Sequence, residues 1–213
     1  MIALIDYGAG NLTSVKKAFA AIGVELYVPS APADLARAAA VVVPGVGHFG
    51  STRALAGEWT DAILERVGEG RPLLGICLGM HWLFEESDEA PGVPGLGVMS
   101  GTISKLGDVR FQEGNQAGGA GDATDVKIPH VGWNSLSFSR EAPIVSGLTP
   151  DVQMYFSHSY AAPISSETVA VTEHGHSFAA GVQRGQIAGV QFHPEKSGDA
   201  GLQVLRNFAE LAR

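Results

Sequence analysis

The chain has 213 residues, of which 45% are hydrophobic, and its 22 acidic against 14 basic side chains give a formal net charge of −8. This length predicts one α/β domain over residues 1–213, and the acidic balance argues against nucleic acid as the main ligand. A single cysteine excludes an internal disulfide and favours a reducing, cytoplasmic location. Residues 1–6 are typical of a first strand rather than a signal peptide, and no apolar run is long enough to cross a membrane.

The first half of the chain alternates short apolar runs with helical patterns, which is typical of a parallel, doubly wound sheet. The predicted strands are residues 2–6, 25–28, 40–44 and 72–76. The predicted helices are residues 12–22, 49–67 with a break at Gly57, and 78–86.

Between residues 97 and 189 the runs are strand-like and separated by turn residues. The predicted strands are residues 98–106, 132–137, 154–157, 168–172, 179–184 and 186–190, with a hairpin over 182–187. A final amphipathic helix is predicted over 200–212, and the glycine-rich residues 114–122 are predicted to be a surface loop. The pattern therefore predicts an open, mostly parallel sheet with helices on both faces and an antiparallel extension.

The only cysteine, Cys77, lies between Gly75 and Gly79, where a predicted strand turns into a predicted helix. This spacing is typical of a nucleophile elbow, and the start of a helix favours the reactive thiolate. A small buried apolar side chain is the alternative, because lone cysteines often pack in cores. The partners of Cys77 must therefore decide between the two interpretations.

Two further segments follow predicted strands, at the edge where open α/β sheets place ligand sites. In the first, His193 could take a proton from Cys77 while Glu195 orients the imidazole, as in a catalytic triad. A simple turn with a solvated glutamate is the alternative. In the second, the glycines around Val46 could form an oxyanion hole with the N–H of Leu78.

These motifs together resemble the class I (triad) glutamine amidotransferases over essentially the whole chain. The resemblance implies that Cys77 attacks the side-chain amide of glutamine, that His193 transfers protons and that Glu195 orients His193. It also implies an oxyanion site formed by Val46, Gly47 and Leu78. It further implies a substrate site, whose residues are Gly47, His81, Ser159 and Tyr160. No cofactor or metal is implied.

Within the family, the chain resembles glutaminase subunits that form a heterodimer with a (β/α)₈-barrel cyclase of histidine biosynthesis. The segments that carry this resemblance are 6–11, 44–47, 129–134, 155–160 and 191–198. The resemblance implies that ammonia passes to this partner and that the oxyanion segment can change conformation when the partner's substrate binds. It further implies a partner-facing surface formed by Asn11, Trp133, Tyr155 and Lys196.

One residue departs from the family pattern, because His81 stands where glutamine usually follows Gly-Met. A histidine cannot reproduce the paired amide geometry, so His81 is expected to weaken or alter glutamine binding. The alternatives to the cyclase-linked role are a glutaminase of another amidotransferase, a γ-glutamyl peptidase and a catalytically silent scaffold. A metal site at His174 and His176 is a further, weaker alternative.

Overall fold

The computed structural model describes residues 1–107 and 127–213, and within them three sheets and four α-helices. The predicted loop at 114–122 lies outside the described residues. The strands are β1 (Ile2–Leu4), β2 (Leu26–Tyr27), β3 (Ala40–Val43), β4 (Leu73–Ile76), β5 (Glu86–Ser87), β6 (Thr102–Lys105), β7 (His130–Ser135), β8 (Ser137–Phe138), β9 (Gln153–His158), β10 (Tyr160–Ala161), β11 (Thr168–Glu173), β12 (Ser177–Arg184) and β13 (Ile187–Val190). The α-helices are α1 (Leu12–Ala21), α2 (Glu58–Gly68), α3 (Leu78–Trp82) and α4 (Gly198–Leu211), and 3₁₀ turns cover Pro32–Arg37, Phe49–Leu55, Pro143–Val145 and Pro194–Lys196.

The main sheet has eight strands in the order β2-β1-β3-β4-β13-β12-β11-β8. The first five are parallel and the last three continue the sheet in antiparallel fashion, which confirms the predicted fold class. Successive side chains of a strand point to opposite faces, and β3 is buried throughout. Val42 packs with α1 and α4 in one core, while Val41 and Val43 pack with α2 and α3 in the other.

The helix after Cys77 is shorter than the predicted 78–86, because α3 ends at Trp82. The carbonyls of residues 82–84 accept hydrogen bonds from the N–H groups of Leu96, Gly97 and Val98, so the returning chain takes the acceptors that the next helical turn would use. Residues 86–87 then enter β5, a strand that the sequence pattern does not indicate.

The prediction that the second half of the chain extends the main sheet in antiparallel fashion holds for β12, β11 and β8 but is wrong for β6, β7, β9 and β10. Strands β7 and β9 form a separate two-stranded sheet, and β5, β6 and β10 form a three-stranded one. The predicted strand at 98–106 is confined to Thr102–Lys105. Strand β9 passes beside Cys77, since the carbonyl of Ser157 lies 4.0 Å from its sulfur, and β5 contacts α3, the helix that follows Cys77.

Three local predictions are confirmed. The hairpin joins β12 to β13, with Arg184 opposite Ile187 and Gly185 at a φ of 57°. Gly57 separates the 3₁₀ turn Phe49–Leu55 from α2 at a φ of 70°. Helix α4 buries its apolar stripe, which includes Leu205 and Phe208. None of the helices in the described ranges combines the length and the apolar character needed to span a bilayer.

Candidate active site

Cys77 occupies a sharp turn between β4 and α3. Its φ of 54° is unusual for a residue with a side chain, and its N–H donates to the carbonyl of Val190 at 2.8 Å. The turn is tight enough that a Cβ on Gly79 would overlap the carbonyl oxygen of Val43. The glycine two residues after Cys77 is therefore required by close packing, and the backbone at Cys77 has the strained geometry of a nucleophile elbow.

His193 and Glu195 lie at the same sheet edge as Cys77, because β13 is the parallel neighbour of β4 with Val190 opposite Ile76. The Nδ1 of His193 lies 2.8 Å from Oε1 of Glu195, and both side chains are only 3% exposed. The Nε2 of His193 is buried and has no hydrogen-bond partner among the described residues. The pair is thus held in the interior with one ring nitrogen oriented by the carboxylate and the other free.

Cys77 and Glu195 act together on the charge state of His193. Burial by itself lowers the pKa of His193, but its interactions with Cys77 and Glu195 outweigh this effect and raise the pKa to about 9. An imidazole that keeps its proton beside an ionisable thiol can stabilise the thiolate form of that thiol. The three side chains can therefore work as a nucleophile, a proton carrier and an orienting carboxylate.

The predicted oxyanion segment lies beside the elbow with one of its donors already engaged. The N–H of Leu78 donates to the carbonyl of Gly45 at 3.3 Å, while Val46 is 41% exposed and Gly47 has a φ of 102°. Tyr7 lies behind this segment, with a buried hydroxyl that has no hydrogen-bond partner among the described residues. Burial, and secondarily the charge of Cys77, raise the pKa of the Tyr7 phenol.

His81 lies in the interior beneath the sulfur, 4% exposed, with its Nε2 2.7 Å from Oε1 of Gln191. The Nε2 of Gln191 donates in turn to Sγ of Cys77 at 3.8 Å, and the carbonyl of Ser157 lies 4.0 Å from the same sulfur. Burial lowers the pKa of His81 to about 4, against the opposing hydrogen bonds to Gln191 and to the backbone of Tyr160.

The predicted substrate residues Ser159 and Tyr160 are half-buried, and they follow β9 close to His81. The carbonyl of Tyr160 accepts from Nδ1 of His158 at 2.7 Å, which fixes the backbone at this point. Burial, with smaller contributions from Glu89 and Asp88, raises the pKa of the Tyr160 phenol.

Three of the four predicted partner-facing residues form one surface cluster. The rings of Trp133 and Tyr155 meet edge to face with centroids 6.1 Å apart, and Nζ of Lys196 lies 5.5 Å from the Tyr155 ring centroid. Trp133 is 57% exposed. Asn11 is exposed at the start of α1, where its Oδ1 accepts from the N–H of Ser14.

The surface cluster is bonded directly to the His193 segment. The N–H of His193 donates to the carbonyl of Tyr155 at 2.8 Å. The Oγ of Ser197 donates to the carbonyl of His193 and accepts from the N–H of Tyr155. A change in the position of Tyr155 would therefore alter the hydrogen bonds that hold the backbone of His193.

Within residues 1–107 and 127–213, no group of three or more His, Cys, Asp or Glu side chains is placed to hold a metal ion. The Nε2 of His174 lies 2.9 Å from the carbonyl of Lys127, and its ring stacks on His130.

Comparison with known proteins identifies the family to which the chain belongs. The family model described as "Glutamine amidotransferase class-I" matches residues 3–211. The chain belongs to this family. Among solved structures, one titled "Crystal structure of glutamine amidotransferase" has a TM-score of 0.71 at 22% identity, covering 100% of this chain and 99% of that one. The structure titled "Structure of PurLQS from Thermotoga maritima" has a TM-score of 0.73 at 15% identity, covering 100% of this chain and 98% of that one, so this chain shares the fold of both structures.

Similar curated members of the family carry a more specific name. "Imidazole glycerol phosphate synthase subunit HisH" of Methanothermobacter thermautotrophicus is 43% identical, and the match covers 100% of both chains. Proteins of the same name are 41% identical in Deinococcus radiodurans, over 99% of this chain and 94% of that one, and in Pyrococcus furiosus, over 99% and 98%.

Two polar groups beside Cys77 were not predicted as site residues. Gln191 lies in segment 191–198, but its contact with Sγ of Cys77 depends on the pairing of β13 with β4. Tyr7 follows β1, which lies two strands away from β4 in the sheet. Its position after a strand was the only sequence feature that pointed to the site. A polar residue within a few positions of the end of a buried parallel strand is the sequence feature that could have identified both.

Proposed function

We propose that this chain is the glutaminase subunit of an imidazole glycerol phosphate synthase. It hydrolyses glutamine through a thioester on Cys77 and passes the ammonia to a (β/α)₈-barrel cyclase subunit. The observation that carries the proposal is the strained elbow at Cys77 beside the buried His193–Glu195 pair. The full-length similarity to HisH subunits supports the choice of this synthase over other amidotransferases.

The proposed reaction has two halves, and the three side chains keep the same roles in both: Cys77 bonds to the acyl carbon, His193 accepts and returns a proton, and Glu195 orients His193. The sulfur of Cys77 bonds to the amide carbon of glutamine while His193 holds the thiol proton. Collapse of the tetrahedral intermediate breaks the C–N bond, and His193 gives that proton to the departing ammonia. Water then attacks the γ-glutamyl thioester, His193 takes a proton from the water, and glutamate leaves as the protonated sulfur re-forms. Glu195 accepts from Nδ1–H of His193 throughout.

The oxyanion of both intermediates would be held by N–H groups at Val46, Gly47 and Leu78. Because the N–H of Leu78 donates to the carbonyl of Gly45, this site becomes complete only when that carbonyl turns away. A Cβ on Gly45 would collide with Leu78 and Tyr7, and Gly47 sits at a positive φ, so glycine is needed on both sides of Val46. Loss of one such donor typically lowers the rate by about 10²–10³-fold.

Glutamine would be bound by Gly47, Ser159 and Tyr160, with His81 beneath them. The cyclase would dock on the surface that holds Trp133, Tyr155 and Lys196, together with Asn11. An exposed aromatic pair with a cation above it suits a protein interface, and the hydrogen bonds from Tyr155 to His193 give the partner a short route to the triad. One domain over residues 1–213, a cytoplasmic location and the lack of a cofactor remain predictions.

The test is a glutaminase assay of the chain alone, with a cyclase subunit, and with that cyclase plus its nucleotide ligand. We expect strong stimulation by the liganded cyclase and none by the synthetase subunit of a GMP synthase. Stimulation by the latter would identify another amidotransferase, and high activity that no partner changes would identify a stand-alone hydrolase. Inactivity under every condition would identify a scaffold.

A further inference from the structure

The side-chain amide of Gln191 bridges Cys77 and His81. Gln191 is the first residue after β13 and is fully buried, at the position next to Cys77 across the sheet. Its Oε1 lies 2.7 Å from Nε2 of His81, and its Nε2 donates to Sγ of Cys77 at 3.8 Å. His81 is four residues after Cys77, one turn along α3, and its backbone N–H donates to the Cys77 carbonyl. The three side chains therefore form a chain of contacts in the interior, with Gln191 in the middle.

The direction of the amide decides what it does to the sulfur. With its NH₂ group toward Sγ, the amide presents a donor that favours a negatively charged sulfur. With its oxygen toward Sγ, it would accept from the S–H group and favour the neutral thiol. The ring of His81 selects between the two orientations, because an Nε2–H can only face the amide oxygen.

Two observations favour a proton on Nε2 of His81. The ring is neutral at pH 7, since burial lowers its pKa to about 4, and so it carries one proton. The distance from Nε2 of His81 to Oε1 of Gln191 is 2.7 Å, at which two acceptors without a proton between them would repel each other. This short contact therefore favours Oε1 of Gln191 over the backbone of Tyr160, the competing acceptor near this ring, as the partner of the His81 proton.

We infer that His81 and Gln191 are positioning residues for the nucleophile: His81 fixes the Gln191 amide so that its NH₂ group faces Sγ of Cys77 and favours the ionised sulfur. The inference rests on the proposed role of Cys77 as the nucleophile. It replaces the expectation that His81 acts by holding glutamine, since Nε2 of His81 is engaged by Gln191.

The test is the rate at which iodoacetamide alkylates the isolated chain as a function of pH. Cys77 is the only cysteine, so intact-mass measurement reports this one sulfur. His81→Phe and Gln191→Met each remove the contact at similar size, and His81→Gln restores a donor to Oε1 of Gln191. His130→Phe is the matched control, because His130 is as buried as His81 and hydrogen-bonds to His158 instead. His193, Glu195 and Tyr7, the other titratable groups near Cys77, are present in every variant.

We expect His81→Phe and Gln191→Met to raise the half-maximal pH of alkylation by about one unit, and so to slow alkylation by about tenfold at pH values well below the original midpoint. The plateau rate at high pH should stay the same, whereas a general loosening of the site would change the plateau. His81→Gln and His130→Phe should keep the original profile. Because His81→Phe and Gln191→Met remove the same contact from two different positions, the test remains decisive if one of the two variants does not fold.

An unchanged half-maximal pH in His81→Phe and Gln191→Met would overturn the inference. It would also be overturned if His81→Phe raised the KM for glutamine while the alkylation profile stayed the same, because His81 would then contact the substrate. Alkylation needs neither glutamine nor a partner. If the variants shift the profile but the original chain has no glutaminase activity, the inference stands and the proposed function is rejected. If the original chain is an active glutaminase but the variants leave the profile unchanged, the proposed function stands and the inference is rejected.

Discussion

Replacing His81 by glutamine should make the folded chain less sensitive to acid. In the folded chain the pKa of His81 is about 4, whereas a histidine in an unfolded chain has its ordinary pKa of about 6.5. Between these two pH values the unfolded chain binds a proton at residue 81 and the folded chain does not. The free energy of unfolding therefore decreases as the pH falls from about 6.5 to about 4, and glutamine at this position removes that contribution.

The size of the effect follows from the same two pKa values. Each pH unit within the window lowers the free energy of unfolding by about 1.4 kcal/mol. Going from pH 7 to pH 5 should therefore cost the original chain about 2 kcal/mol more than it costs His81→Gln. With a typical urea dependence, this difference is about 1 M in the denaturation midpoint.

Equilibrium urea unfolding at pH 7 and pH 5, followed by the fluorescence of the three tryptophans, measures this difference. Other titratable groups are common to both chains, so their contributions cancel in the comparison. An equal loss of stability in the two chains would refute the argument, because it would mean that His81 is not held neutral by burial.

Three further predictions concern the triad, the partner surface and the elbow. Glu195→Gln should lower kcat by about 10²–10⁴-fold with little change in KM, since an amide donor would reverse the His193 tautomer; steady-state kinetics of the complex check this, and near-normal kcat would exclude the orienting role. Trp133→Ala should weaken cyclase binding by at least about tenfold in calorimetry and leave Cys77 alkylation of the isolated chain unchanged; unaltered affinity would place the interface elsewhere. Gly79→Ala should lower Tm by about 4 °C or more, because its Cβ meets the Val43 carbonyl. The control Gly68→Ala, whose Cβ meets nothing within 4 Å, should not lower Tm, and equal Tm values would contradict the packing argument.

Residues at strand ends were the most predictable part of the site. Cys77 and His193 each follow a buried parallel strand, and parallel strands carry such residues to one edge of the sheet. The glycines around Cys77 identify the elbow because the chain there cannot accommodate a Cβ. Local chemistry and sheet topology were therefore sufficient to bring these residues together.

The contacts that pass through the core were not predictable in the same way. His81 and Gln191 are 110 residues apart, and their contact depends on the neighbour relation of β4 and β13 and on the direction of two side chains. The end of α3 at Trp82 depends on hydrogen bonds from residues 96–98, which no periodicity within 78–86 reveals. Tertiary partners decided both outcomes.

The central claim is that Cys77 carries the glutamyl group during turnover. Acid quenching of the chain with a liganded cyclase subunit and glutamine, followed by peptide mass analysis, tests this claim directly. We expect one γ-glutamyl thioester, located on Cys77 and absent from Cys77→Ser, which should also release no glutamate. Glutamate release that persists in Cys77→Ser, or an adduct on another residue, would contradict the account.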